Sequence, residues 1–184
     1  MNRLHRYFCA SPKYAARLES GLLPWVIGSA DLGERVLEIG PGPGLTTKLL
    51  VQRAPRVTGV EIDDALARAA SANVPTAEIL NADATKLPFA AASFSAAVSF
   101  TMLHHVPSVA LQDRLLDEVC RVLRPGGVFL GSDSRPSFLF RLAHLFDTMV
   151  LVDPDAFAER LARAGFSDPS VDARPMAFRF RARA

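Results

Sequence analysis

Residues 36–44 read Val36-Leu37-Glu38-Ile39-Gly40-Pro41-Gly42-Pro43-Gly44, and a helical pattern starts directly after them. An apolar run that stops at a carboxylate and then at three alternating glycines predicts a strand, a tight loop and a helix. Glycine permits positive φ and, because it has no Cβ, lets a ligand lie directly against the main chain. The first turn of the following helix offers further N–H groups. The stretch therefore predicts a ligand-binding loop.

The same strand-then-helix pattern repeats along the chain. Predicted strands cover 35–39, 57–61, 76–80, 94–100, 128–131, 170–173 and 177–182. Predicted helices cover 46–53, 64–72, 109–123 and 154–164. Strands that alternate with helices indicate crossover units, so we predict an α/β fold with a doubly wound, mainly parallel sheet.

Length and composition indicate one domain spanning 1–184, with a helical lead-in at 1–34 and an apolar lid or insertion at 134–152. The chain has 184 residues, of which 49% are hydrophobic and 22% charged, and its net charge of +2 does not indicate nucleic-acid binding. Cys9 and Cys120 lack metal-ligand spacing, so no metal site is expected. No secretory pattern is present, and no apolar stretch approaches the roughly 20 residues that span a bilayer, so we expect a cytoplasmic protein.

Polar side chains fall at the ends of successive predicted strands: Glu38, Glu61, Asp83 and Thr101. In an open parallel sheet the carboxyl edge is where ligands bind, beside the first strand. A carboxylate after the second strand is suited to accept hydrogen bonds from both hydroxyls of a ribose, because its two oxygens match a vicinal diol. The loop and Glu61 together indicate a nucleoside-bearing cofactor.

Two classes of cofactor compete for this loop. Dinucleotide enzymes use the spacing GxGxxG, in which the helix N-terminus faces a pyrophosphate. Here the spacing is GxGxG, with Leu45 where the last glycine of that fingerprint would be. Pro41 and Pro43 also remove two backbone donors that a pyrophosphate could use. The spacing therefore argues against a dinucleotide.

Five segments in order resemble the class I S-adenosylmethionine-dependent methyltransferases, within their small-molecule, ubiquinone-biosynthesis-like (type 11) group. The segments are 36–44, 57–63, 81–89, 94–106 and 121–127. The resemblance covers 35–164, and it implies a Rossmann-like sheet of seven strands whose last strand is antiparallel. One departure is Ser95, where the family often carries Asp; because it starts a strand away from the cofactor edge, we expect a structural effect.

The resemblance also implies the cofactor, S-adenosylmethionine, and the residues that hold it. Glu38 and the loop of Gly40, Pro41 and Gly42 would position the methionine portion. Glu61 would bind the ribose and Ile62 would cover one face of the adenine. The remaining implied contacts are Asp83 and Ala84 at the adenine edge, and Thr101 and Met102 at the methionine side.

The implied reaction is methyl transfer to a small acceptor that is hydrophobic in character. In-line attack on a sulfonium methyl depends largely on positioning, so a dedicated catalytic residue is not obligatory. His104 and His105 are candidates for a general base; the alternatives are that one is a packed loop histidine and the other a helix-cap or cofactor-side contact.

Several alternatives stay open. The apolar segment 138–151 is a lid over a lipophilic acceptor, a membrane-surface helix, an ordinary buried helix or a dimer contact. The protein is a monomer or a homodimer, with no nucleic-acid partner expected. The rival functions are a nicotinamide-dependent oxidoreductase and a non-catalytic S-adenosylmethionine-binding protein.

Overall fold

The computed structural model describes residues 16–135 and 149–184. Its strands are β1 (Arg35–Ile39), β2 (Arg56–Glu61), β3 (Glu78–Asn81), β4 (Phe94–Phe100), β5 (Leu123–Ser134), β6 (Ser167–Ala173) and β7 (Ala177–Arg183). Its α-helices are α1 (Leu23–Ile27), α2 (Leu45–Leu50), α3 (Asp64–Asn73), α4 (Val109–Val122) and α5 (Pro154–Arg163). A π-helical turn, Leu18–Leu22, precedes α1, and a 3₁₀ turn, Leu103–His105, follows β4.

The strands form one seven-stranded sheet in the order β3-β2-β1-β4-β5-β7-β6. The first five strands pair in parallel, whereas β7 runs antiparallel to both of its neighbours, β5 and β6. The predicted fold class is therefore confirmed. The order reverses between β1 and β4, so the crevice at the carboxyl ends of these strands is the switch point where ligands bind in such sheets.

Apolar clusters cover both faces of the sheet. One cluster joins α4 and α5 to inward residues of β1, β4, β5 and β7, and the other joins α1 and α2 to the opposite face. β7 shows the alternation that its sequence predicts: Phe178, Phe180 and Ala182 are buried, whereas Arg179, Arg181 and Arg183 point to the other face. Each central strand is held from both sides, which fixes where its carboxyl end lies.

Several predicted boundaries were wrong by a few residues. β3 begins at Glu78 rather than 76, α2 ends at Leu50 rather than 53, and β6 begins at Ser167 rather than 170. The largest error concerns β5, which begins at Leu123 rather than 128 and includes the Pro-Gly-Gly segment between the predicted helix and the predicted strand. Leu123 pairs with Phe94 before a register shift, so the segment is an irregularity within the strand.

Ser95 acts structurally, as predicted. Its hydroxyl accepts from the backbone N–H of Arg35 at 2.9 Å and lies 2.7 Å from the carbonyl oxygen of Leu32. The start of β4 is thereby tied to the turn before β1.

Parts of the predicted lead-in and apolar segment, together with Cys9, lie outside the described residues. Within the described ranges, none of the helices combines the length and the apolar character that a membrane crossing requires.

Candidate cofactor site

The glycine loop after β1 adopts the backbone conformation that its sequence predicts. Gly40, Gly42 and Gly44 have φ values of 67°, 56° and 89°, a region that side chains with a Cβ rarely enter. A Cβ on Gly40 would overlap Cγ of Met102, whereas one on Gly42 would meet nothing within 4 Å. The loop is therefore packed against the segment after β4 on one side and open at Gly42.

The N–H groups of this loop are used within the protein. Gly40 donates to the Val60 carbonyl at 2.9 Å, Gly42 to Oε2 of Glu61 at 3.0 Å, and Gly44 to the Pro41 carbonyl at 3.0 Å. Pro41 and Pro43 have no N–H to offer. The three glycine N–H groups are therefore already hydrogen-bonded within the protein and are not free donors for a pyrophosphate.

Glu61 lies at the end of β2 and joins the loop to the start of α3. Its Oε1 accepts the N–H of Asp63 at 3.0 Å and its Oε2 that of Gly42, and 8% of the residue is exposed. Burial raises the pKa of this carboxyl, while the two backbone hydrogen bonds oppose the rise. Each oxygen retains acceptor capacity, so the carboxylate can still receive the two hydroxyls of a ribose.

Ile62 is unusually exposed for a large apolar side chain, at 71%. It directly follows Glu61, and its carbonyl accepts the side-chain amide of Asn81 at 3.0 Å. The same amide donates to the Glu61 carbonyl at 2.9 Å. This role of Asn81 was not predicted, although its place at the end of β3 was a usable signal.

Glu38 is turned into the protein rather than toward the loop surface. It is fully buried, and its carboxylate accepts the hydroxyls of Thr46 and, at 2.6 Å, of Thr47 in α2. Burial raises the pKa of Glu38 to about 7, the threonine hydrogen bonds oppose the rise, and the charge of Glu61 adds to it. Glu38 therefore anchors α2 to β1; its contact with the methionine portion remains a prediction.

The buried Glu38 carboxyl should make stability depend on pH. Its folded pKa of about 7 lies above the ordinary value of 4.5, so between these values the folded state binds a proton that the unfolded state lacks. That stabilisation is complete below pH 4.5 and is lost as the pH rises to 7, a change of about 3 kcal/mol. Between pH 5 and pH 8 the free energy of unfolding of wild type should therefore fall by about 3 kcal/mol more than that of Glu38→Gln.

Urea unfolding of both proteins at the two pH values measures this difference. Glu34→Gln, the same chemical change on an exposed side chain, serves as the control. Parallel pH profiles for Glu38→Gln and wild type would contradict the assignment.

Asp83 and Ala84 follow β3 at the same edge of the sheet. Ala82 donates to the Glu61 carbonyl at 3.1 Å, which holds this loop against the end of β2. The exposed carboxylate of Asp83 accepts the N–H of Thr85 at 2.8 Å, so it caps its own turn while remaining accessible. Its predicted contact with the adenine edge is compatible with this position.

The segment after β4 lies against the glycine loop. Thr101 has a φ of 50° and donates its N–H to the Ser132 carbonyl at 2.8 Å, and Met102 packs against Gly40. His104 is buried, with Nδ1 2.5 Å from Oδ1 of Asp133, and its ring lies 4.2 Å from that of the half-buried His105.

Asp133 holds the turn after β4 in place, a role that was not predicted from the sequence. Its carboxylate also accepts the N–H groups of His104 at 3.0 Å and Ser134 at 2.6 Å, and it is fully buried at the carboxyl end of β5. It therefore ties the post-β4 turn to the neighbouring strand. Its place at a strand end was the only signal in the sequence.

The fold brings the predicted residues to one edge of the sheet, and their chemistry fits S-adenosylmethionine. The observations that carry the fit are the open space at Gly42, the carboxylate of Glu61 beside it and the exposed side chain of Ile62. The open space at Gly42 lets a ligand lie against the main chain. The Glu61 carboxylate can accept hydrogen bonds from a diol, and the Ile62 side chain can cover one face of an aromatic ring.

Comparison with known proteins supports the same conclusion. Residues 37–131, just over half of the chain, match the family model of a methyltransferase domain. The chain therefore belongs to this family of class I S-adenosylmethionine-dependent methyltransferases. The predicted family and its cofactor are confirmed.

Two curated relatives come from Mycolicibacterium smegmatis. One, described as "Probable S-adenosylmethionine-dependent methyltransferase", is 37% identical over 54% of this chain and 38% of its own length. The other, a fatty-acid O-methyltransferase, is 36% identical over 58% of this chain and 39% of its own length. The chain thus spans less than two fifths of the length of these relatives.

A solved structure extends the likeness to nearly the whole chain. A SAM-dependent methyltransferase from Archaeoglobus fulgidus has a TM-score of 0.76 and covers 98% of each chain at 16% identity. At this identity the comparison concerns the fold alone.

Proposed function

We propose that this protein transfers a methyl group from S-adenosylmethionine to a small, hydrophobic acceptor. The observation that carries the proposal is the Glu61 carboxylate beside the open Gly42 loop, at the switch point of a family-typical sheet. When bound, the cofactor supplies an activated methyl group. The chain supplies positioning: Glu61 accepts hydroxyl groups, and Met102 and Ile62 present apolar surface on either side.

The chemistry of the proposed step requires alignment more than a dedicated acid or base. His104 is buried and held by Asp133, so it serves better to position the post-β4 turn than to receive a proton from an acceptor. Of the two predicted base candidates, we favour the half-buried His105.

The hydrophobic character of the acceptor rests on two supports. One relative is named for a fatty-acid substrate. In addition, the sequence of 138–151 is rich in Phe and Leu. Its described end contacts the turn after β4, where the N–H of Val150 donates to the His104 carbonyl at 2.8 Å. Gln112 donates to the carbonyls of both Val150 and Leu103, which holds this end beside the post-β4 turn. We therefore propose that the described end of this segment, residues 149–152, borders the acceptor.

The same proposal includes the remaining predictions about partners. We expect a monomer or homodimer in the cytoplasm, acting on a small molecule and without a nucleic-acid partner.

Calorimetry separates this function from its first rival. S-Adenosylhomocysteine should bind one site per chain, whereas NAD should give no saturable heat. Tight NAD binding without a homocysteine-ligand signal would identify a nicotinamide enzyme instead.

A transfer assay separates it from a non-catalytic binding protein. The protein is incubated with radiolabelled methyl donor and, in parallel, a long-chain fatty acid, a lipophilic phenol, a short-chain acid and total RNA. Label should enter the lipophilic acceptors and not the short-chain acid or RNA. Persistent lack of transfer to all of these and to cell extract, despite confirmed cofactor binding, would favour the non-enzyme.

A further inference from the structure

A second cleft lies at the opposite edge of the sheet from the cofactor site. It has a volume of about 310 Å³ and is bounded by the turn before β1, the starts of β4 and β5, and the end of β7. Ser95 borders this cleft and Thr101 borders the cofactor site. The two residues are six steps apart along β4, which corresponds to roughly 20 Å. The two sites are therefore distinct.

Arginine side chains dominate the charge of this cleft. Arg124, Arg181 and Arg183 line it, and the only carboxylate side chain among its lining residues is that of Asp31. Oδ1 of Asp31 accepts the N–H of Gly33 at 2.8 Å, so part of this carboxylate's acceptor capacity serves its own turn. The lining is thus strongly electropositive.

The three guanidinium groups converge from two different elements. Arg181 and Arg183 point to the same face of β7 because Phe180 and Ala182 are buried on the other. Arg124 comes from the irregular start of β5. Its Nη2 lies close to Gly33 in the turn before β1, 3.2 Å from the position that a Cβ on Gly33 would take. Arg183 donates to the Gly126 carbonyl at 3.4 Å, which holds it beside that start.

Within the described part of the chain, none of these three arginines forms an ion pair. Arg179 on the same strand, β7, does form an ion pair: its Nη2 lies 2.9 Å from Oδ2 of Asp172. Other arginines with acidic partners are Arg68, Arg121, Arg160 and Arg163. Three guanidinium groups that share one concave space without acidic partners have unused capacity for bidentate hydrogen bonds.

We propose that this cleft binds a small anion of the phosphate class, independently of the cofactor. The planar fork of each guanidinium matches two oxygens of a phosphate, and a volume at the lower end of ligand pockets suits a small polar group. The lining offers charge and backbone rather than apolar surface, which distinguishes this cleft from a site for a lipophilic acceptor.

The test uses inorganic pyrophosphate as the probe, titrated into the full chain by calorimetry at low salt. Wild type should bind one equivalent saturably. Arg181→Gln and Arg124→Gln should each weaken binding about tenfold, because each removes charge-assisted hydrogen bonds. Arg181→Lys keeps the charge but not the fork, so its affinity should lie between those of wild type and Arg181→Gln.

Arg163→Gln is the matched control, since it removes an exposed arginine from α5, away from the cleft. It should bind pyrophosphate like wild type. All four variants should retain the wild-type melting temperature and affinity for S-adenosylhomocysteine, so this result is independent of the proposed methyl transfer.

Three outcomes would overturn the proposal: no saturable pyrophosphate binding, equal weakening by Arg163→Gln, or competition by S-adenosylhomocysteine. A parallel arm with vesicles containing phosphatidic acid identifies the source of the phosphate. Binding to these vesicles without binding to pyrophosphate would replace the small anion with a lipid headgroup.

Discussion

Glu61→Gln should raise the Kd for S-adenosylhomocysteine about 100-fold. The wild-type carboxylate holds the N–H groups of Gly42 and Asp63 and can accept two further hydroxyl donors. The amide retains one acceptor oxygen and places a donor against N–H groups, so both the diol contact and the loop geometry suffer. Losing two charge-assisted hydrogen bonds accounts for about 3 kcal/mol, which corresponds to the expected factor.

Calorimetry with the folded variant measures this effect, and circular dichroism verifies the fold. Glu78→Gln makes the same change at the exposed start of β3, where the carboxylate accepts only the Thr58 hydroxyl among the described residues. This control should bind the ligand like wild type. A threefold change in Kd is smaller than the contribution of one charge-assisted hydrogen bond. If the Kd of Glu61→Gln lies within about threefold of wild type, Glu61 does not bind the ligand.

Gly131→Ala should destabilise the protein by about 3 kcal/mol and lower its melting temperature by about 10 °C. Gly131 lies in the middle of β5, opposite Ser99 of β4. A Cβ there would lie 2.5 Å from the Ser99 carbonyl oxygen and 2.7 Å from Cε1 of Phe180. Phe180 is 2% exposed and packs against Phe129 and Phe157, so its ring has no room to withdraw.

Thermal unfolding tests this expectation, with Gly21→Ala as the control. Gly21 has open space around its Cβ position and lies in a helical turn, so alanine there should be neutral or stabilising by up to about 1 kcal/mol. Adding Phe180→Leu to Gly131→Ala should cost less than the two single changes together, because the ring overlap is then removed. An unchanged melting temperature for Gly131→Ala would mean that β5 and β7 do not pack as described.

The sequence predicts the ends of a strand or helix correctly where the residues of that segment alone determine them. β1 and β4 were predicted with their observed ends, because short runs of mainly apolar or small residues between turn residues indicate buried parallel strands. The N-cap of α3 also follows a local rule: the Asp63 side chain accepts the N–H groups of Ala65 and Leu66. In contrast, Pro125 and the two glycines beside it concealed the start of β5, because pairing with β4 and β7 overrides their local preference for a turn.

The sequence by itself determined the class of fold, the glycine loop and the carboxylate at the end of β2, since each depends on residue type and spacing along the chain. Only the tertiary structure decided what those groups contact. In the folded chain Glu38 contacts the threonines of α2, the loop N–H groups are hydrogen-bonded within the protein, and His104 contacts Asp133. The tertiary structure also gathered three arginines from β5 and β7 into one cleft. These contacts join residues far apart in sequence, and their partners are chosen by strand order and side-chain direction, which no local pattern encodes.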